Sequence, residues 1–170
     1  MVGNGFHSGE ITEMHTCLQR PILLTCSIPD QTVRIWNYIT NTCEHTESFL
    51  SGLVGQRPLL ASCLHPSGYY MAVALTDQVR VYHLLHEEFR QFHCYEIKNA
   101  KKIRFSNGGQ FLVVADHKKM FIFHTFSLEK IRDISCPSQS ISNLAFNYND
   151  SEMTFVSSDG MLQNFDIMEF

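Results

Sequence analysis

The chain has 170 residues, 44% of them hydrophobic, which is enough apolar material for a sizeable buried core, and length alone allows one domain. Its net charge of -4 and pI near 6.1 weigh against a general nucleic-acid binder, whose domain is usually strongly basic. No run of about 18 apolar residues is available to span a bilayer, and the opening MVGNGFHSGE lacks the charged and apolar regions of a signal peptide, so a soluble, non-secreted chain is expected.

In chain order the sequence reads as strands separated by turns. FHSGE leads into a strand at ITEMHTCL, a QRP turn and a second apolar run, ILLTC. Asp30 then opens a tight turn, and Val33 and Ile35 alternate with Arg34 up to the only tryptophan, Trp36, which predicts a third strand. A fourth is expected near residues 42–49, and SGLVGQRP, with two glycines and a proline, separates it from the second repeat.

That second repeat has the same plan. LLASCL runs to a turn at His65-Pro66-Ser67-Gly68, where Pro66 fixes φ and Gly68 accepts a positive one. YYMAVAL, QVRVYHLL and FRQFHCYEI complete four strands. A third set consists of KKIRF, QFLVVA, KMFIFH and LEKIRDI, with SNGG where HPSG stood before. ISNLAF, MTFVSS and MLQNFDI begin a fourth set whose outer strand is missing. The aromatic ends of the third strands, Trp36, Tyr82, Phe123 and Phe165, are spaced at roughly 41 to 46 residues, the blade length of a four-stranded propeller repeat. The expected fold is all-β, a propeller segment with blades at about 7–50, 58–97, 100–135 and 140–170. Two uncovered end faces, with Ile22 to Leu24 on one of them, predict that further blades from elsewhere in the assembly complete the ring.

Six cysteines, Cys17, Cys26, Cys43, Cys63, Cys94 and Cys136, form no CxxC pair and fall mostly inside strand-like runs, which predicts buried free thiols. His83, His86, His93, Cys94 and His124 crowd one span, but their spacing supplies no set of four ligands, and no metal or cofactor is expected. No GxSxG, Walker A or HExxH motif is present, and a non-enzyme is expected.

The repeat resembles the WD40 family, whose pattern places a histidine before the first strand, a Ser or Thr on the second, an Asp in the next turn and a Trp ending the third. His7, Thr25 or Ser27, Asp30 and Trp36 occupy those positions. Such a constellation satisfies a buried carboxylate with imidazole and backbone donors and relays through a hydroxyl to the indole N–H. Pro29 is an extra residue that leaves Thr25 and Ser27 both open as the relay. Asp77 lies one position too close to Tyr82, and His117 stands where the third repeat needs its Asp, so only the first repeat is expected to hold the full network.

TCSIPDQTVRIWNY, LHPSGYYMAVALTDQVRVYHLLHEEFR, RFSNGG and SLEKI, in that order, resemble the second propeller of the WD-repeat family of cilia- and flagella-associated protein fifty-seven. The resemblance implies a ciliary axonemal adaptor for inner dynein arms, located in the cytoskeleton of the cilium or flagellum. It implies partners among inner dynein arm, tubulin or regulatory-complex components, with neither nucleic acid nor membrane. A cytosolic WD40 receptor that recruits substrates to a ubiquitin ligase or other complex would have the same blades. Candidate docking residues are a basic cluster, Lys98, Lys101, Lys102, Arg104, Lys118 and Lys119, and an acidic loop on the opposite face, His86, Glu87 and Glu88.

Overall fold

The computed structural model describes residues 6–17, 19–50, 57–86, 88–135 and 140–167. These form fifteen strands and no helix. The first sheet holds β1 (Glu13–Thr16), β2 (Ile22–Ser27), β3 (Thr32–Asn37) and β4 (Thr42–Ser48). The second holds β5 (Leu59–Leu64), β6 (Tyr70–Leu75), β7 (Val79–Leu84) and β8 (Phe89–Tyr95). β9 (Lys102–Phe105), β10 (Phe111–Ala115), β11 (Lys119–His124) and β12 (Lys130–Ser135) make the third. β13 (Ile141–Phe146), β14 (Glu152–Ser157) and β15 (Leu162–Asp166) make the fourth. Every sheet is an antiparallel meander in chain order, and β1, β5, β9 and β13 lie against one another in succession. This is a four-blade propeller arrangement in which the last blade has three strands.

Three apolar cores sit between the blades rather than within them. Ile22, Leu24, Cys26 and Val33 pack on Leu59, Met71, Val73 and Leu75; the opposite face of the second blade packs through Ala72, Ala74 and Val81 on Ile103, Leu112 and Val114. Phe111, Val113 and Ile122 meet Met153, Phe155 and Leu144 in the third. β6 is therefore covered on both faces, and Met71 to Leu75 are all buried, whereas β14 alternates buried Met153 and Phe155 with exposed Glu152 and half-buried Thr154. The expectation that Ile22 to Leu24 line an open flank is corrected by this packing. Strand alternation turns Ile22 and Leu24 into the core against the second blade and leaves only Leu23 on the outer face.

The landmark aromatics share a backbone feature. Pairing of the third with the fourth strand shifts register between Ile35 and Trp36, between Val81 and Tyr82, and between Ile122 and Phe123. A bulge at that point increases the local twist of the strand and re-aims the next side chain.

The turns joining first to second strands are bonded from blade to blade. Arg20 Nη1 donates to Gly68 O at 2.6 Å and the Cys17 thiol to Pro66 O at 2.9 Å. His65 Nε2 contacts Gly109 O at 3.0 Å, and the Asn107 and Gly108 N–H groups donate to the Asp150 carboxylate at 2.8 and 2.5 Å. HPSG, SNGG and NYND thus link neighbouring blades as well as turning the chain.

Cys17, Cys26 and Cys63 are buried free thiols, and burial pushes Cys26 up to about 11, out of reach of thiolate chemistry at neutral pH. Cys43 is half-buried and Cys94 exposed, contrary to the expectation for strand cysteines, because each lies on the outermost strand of its blade. Cys136 lies outside the described residues.

Candidate functional site: two ends and an axis

Asp30 organises the first blade. Trp36 Nε1–H donates to Thr25 Oγ1 at 2.7 Å, and the Thr25 hydroxyl donates to His7 Nε2 at 2.8 Å. The His7 proton is thereby assigned to Nδ1, which lies 2.8 Å from Thr32 Oγ1 and 3.2 Å from Asp30 Oδ2. Thr32 completes the circuit with its hydroxyl on Asp30 Oδ1 at 2.6 Å, and the Ser8 and Thr32 N–H groups donate to the same carboxylate at 2.9 and 3.1 Å. Thr25 is the relay. Ser27 receives the Asp30 N–H at 3.5 Å and adds a weaker hydrogen bond to the carboxylate, and Thr32 is a member that the motif did not name. Burial favours a protonated Asp30, but the Thr32 and Ser8 hydrogen bonds and His7 outweigh it and hold the carboxyl down at about 2. Burial lowers His7 below its usual value, against the pull of Asp30, so the ring is neutral.

The other blades replace this network piecemeal. Asp77 pairs with Arg57 at 2.8 Å near the surface, Asp116 caps the Lys118 and Lys119 N–H groups, and Asp159 takes the Ser157 hydroxyl. The crowded histidines are occupied by aromatic packing: His83 lies 4.2 Å from Phe92 and 5.0 Å from Tyr70, and His93 lies 4.5 Å from Tyr95. Among the described residues no group of three metal-binding side chains converges.

Antiparallel order sends successive turns to alternate ends of the blades. Lys98 and Lys101 precede β9, Lys118 and Lys119 surround the β10–β11 turn, and all four are exposed at one end. Lys102 and Arg104 are separated from them. They sit on β9 facing the axis, where Lys102 Nζ pairs with Glu13 at 3.1 Å and Arg104 Nη1 donates to Leu144 O at 3.0 Å. His86 and Glu88 are exposed in the β7–β8 turn at the opposite end, where Glu88 pairs with Arg90 at 3.2 Å; Glu87 lies outside the described residues.

Comparison with known proteins gives these surfaces a context. No family model matches the chain. It is 34% identical over 161 residues, 95% of its length, to mouse (Mus musculus) cilia- and flagella-associated protein 57. It is 33% identical over 124 residues, 73% of its length, to cilia- and flagella-associated protein 57 A of Tetrahymena thermophila, and 29% identical over 171 residues to protein 57 C of that organism. The chain is a homologue of a segment of cilia- and flagella-associated protein 57. It spans only 9% to 12% of the length of these relatives.

In this homologue of cilia- and flagella-associated protein 57, the end opposite the lysines carries a surface that the sequence pattern did not disclose. Tyr38, Ile39, Tyr69, Leu85, Phe126 and Tyr148 are all exposed there, in turns of all four blades, and Tyr148 is 95% exposed. The available signal was the turn position itself. Six large apolar side chains in turns at one end make it a candidate contact surface.

Proposed function

We propose that this chain is a non-catalytic propeller scaffold of the ciliary axoneme that contributes to docking or assembly of inner dynein arms. The observation that carries the reading is a difference in emphasis between the two ends: four exposed lysines of the third blade cluster at one, and six exposed aromatic and aliphatic turn residues from all four blades lie at the other. Such an array bridges two unlike partners, an acidic surface steered by charge and an apolar one held by aromatic anchors. The names of the relatives support a setting in cilia and flagella. The buried polar groups of the first blade satisfy one another in a closed circuit, which suits a structural role. Additional blades, in the same protein or a partner chain, cover the outer flanks.

The test is fractionation of ciliated cells carrying the tagged full-length protein. Retention with detergent-extracted axonemes, and loss of inner dynein arm components from axonemes lacking the protein, are the expected results. Recovery in the soluble cytosol, or unaltered dynein content without the protein, refutes the reading.

A further inference from the structure

We infer that the propeller axis receives a carboxylate side chain from an acidic segment of a partner protein, with Lys102 and Arg104 of β9 and His15 of β1 as the recognising groups. Two cavities, of about 290 and 320 Å³, lie along the axis and share His15 and Arg104 in their walls. The first opens among Glu13, Lys102 and Asn143, toward the end that carries Lys98 and Lys101; the second continues toward Gln19 and Asn107 at the other end. Residues 102 and 104 alternate with buried Ile103 and Phe105, so one face of β9 lines the axis and the other packs in the core.

The charge balance of this site favours an anion. Glu13 is committed twice, to Lys102 Nζ at 3.1 Å and to the Ser62 N–H at 2.7 Å. Arg104 gives Nη1 to Leu144 O, and a guanidinium carries five N–H donors in a planar fork, which leaves donors for a bidentate carboxylate. His15 is faced by Glu13 from its own strand, by Lys102 and Arg104 from β9, and by the Ser62 carbonyl of β5. Burial, then the neighbouring Arg104 guanidinium, holds its ring neutral, down to about 4. A carboxylate entering between them removes part of that charge repulsion and lets His15 take up a proton. Lys102 lies in the wall of this cavity beside Arg104, and Lys98 and Lys101 are exposed at the end toward which it opens, so an extended acidic segment can enter past these cations while a globular surface cannot.

This deepens the docking reading by naming what is bound at the basic end, and the two are separable. Fluorescence anisotropy of a labelled hexaglutamate peptide against the full-length protein is the assay. Arg104→Met is expected to weaken binding at least tenfold, Arg104→Lys less, and the rim pair Lys118→Ser with Lys119→Ser less than threefold. His15→Gln replaces the imidazole with an amide that cannot take up a proton, and should abolish the tightening that the native protein shows toward pH 6. Near-ultraviolet circular dichroism checks that each variant is folded. Equal binding by native protein and Arg104→Met, or loss confined to the rim pair, overturns the axial site while leaving rim docking intact. Displacement by millimolar inorganic phosphate but not acetate overturns the carboxylate assignment in favour of a phosphate site. No binding of hexaglutamate at all refutes the inference.

Discussion

Replacing Gly109 with alanine tests the bond between the second and third blades. Gly109 has φ of +77°, a left-handed conformation that costs an L-residue about 1 to 2 kcal/mol. A Cβ there would lie 2.2 Å from His65 Nε2 and 2.5 Å from Cε1, far inside contact distance. The ring cannot step aside cheaply: it is 4% exposed, held by Ser67 Oγ at 2.8 Å and packed 5.0 Å from Phe105 and 5.4 Å from Tyr70. Displacing it also breaks the contact with Gly109 O, which is worth about 1 kcal/mol. Gly109→Ala should therefore cost about 2 to 3 kcal/mol. Gly160 is the internal control, since its φ is +84° but a Cβ meets nothing within 4 Å, so Gly160→Ala should cost only the about 1 to 2 kcal/mol of backbone strain. Denaturant titration of the full-length protein, with proteolysis within this segment as the readout, compares the two. His65→Ala combined with Gly109→Ala should cost less than the sum of the single changes, because removing the ring removes the clash. Equal destabilisation by Gly109→Ala and Gly160→Ala would refute the blade-to-blade lock.

Asp30→Ala should cost about 2 kcal/mol by leaving the donors of His7, Ser8 and Thr32 without their carboxylate, whereas Asp77→Ala, which breaks the exposed Arg57 pair, should cost under about 1 kcal/mol; equal losses in the same titration would contradict this. The network also sets an acid limit. His7 is lowered in the fold, so the unfolded chain binds the extra proton first and stability should begin to fall as pH drops below about 6.5; Asp30, lowered to about 2 from 3.8, adds a further loss from about pH 4 down to 2. Thermal melts of Asp30→Asn against the native protein should converge over that lower window, and parallel curves would count against it. Reversing Lys98, Lys101, Lys118 and Lys119 to glutamate should weaken axonemal retention and its salt sensitivity with little effect on melting, since exposed charges act over about 8 to 10 Å in physiological salt. Unchanged retention would leave these lysines as solvated residues.

The strands were legible because two physical signals agreed at each of them. The apolar runs had strand length, and Gly, Pro, Asn or Asp punctuated them where a turn was needed. The structure adds that the Met71 to Leu75 run is buried on both faces and that β14 alternates, in keeping with continuous and interrupted hydrophobicity in the two strands. Thr25 could not be separated from Ser27 by spacing, because residues two apart share one face of β2 and the choice depends on position along it: Thr25 lies within reach of the Trp36 indole, and Ser27 stands at the strand end. Lys102 and Arg104 read as part of one basic cluster with Lys98 and Lys101, since a linear sequence does not show that β9 turns alternate residues toward the axis. The aromatic end was invisible for a related reason. Its six residues are far apart in the chain, and only alternation of strand direction brings their turns to one side.

The outer flanks bear on what completes the structure, and their composition lowers the cost of leaving them open. From sequence, two open faces of several hundred Å² each forfeit roughly ten kcal/mol. The flanks are less apolar than that. On the first blade Trp36 is only 5% exposed, with the Arg34 guanidinium 5.9 Å from its ring and the Thr25–His7 circuit beside it. On the fourth, Thr154 bonds Asn164, and the apolar residues on that side are Ala145, Val156 and Leu162. With ~100 to 200 Å² of apolar surface per flank, the loss is about 2.5 to 5 kcal/mol each. The free edge is the stronger demand. Among the described residues no strand pairs outside β15, although β4, β8 and β12 close the other three sheets, and an edge of unpaired N–H and C=O groups templates other chains. The expected partner is a strand, not just an apolar surface. In the full-length protein, hydrogen exchange at β15 should therefore be as slow as at β3, β7 and β11. In the isolated 170-residue segment it should be fast, and the segment should self-associate in sedimentation. A monodisperse segment that melts cooperatively with β15 protected would show that the three-stranded blade is sufficient by itself.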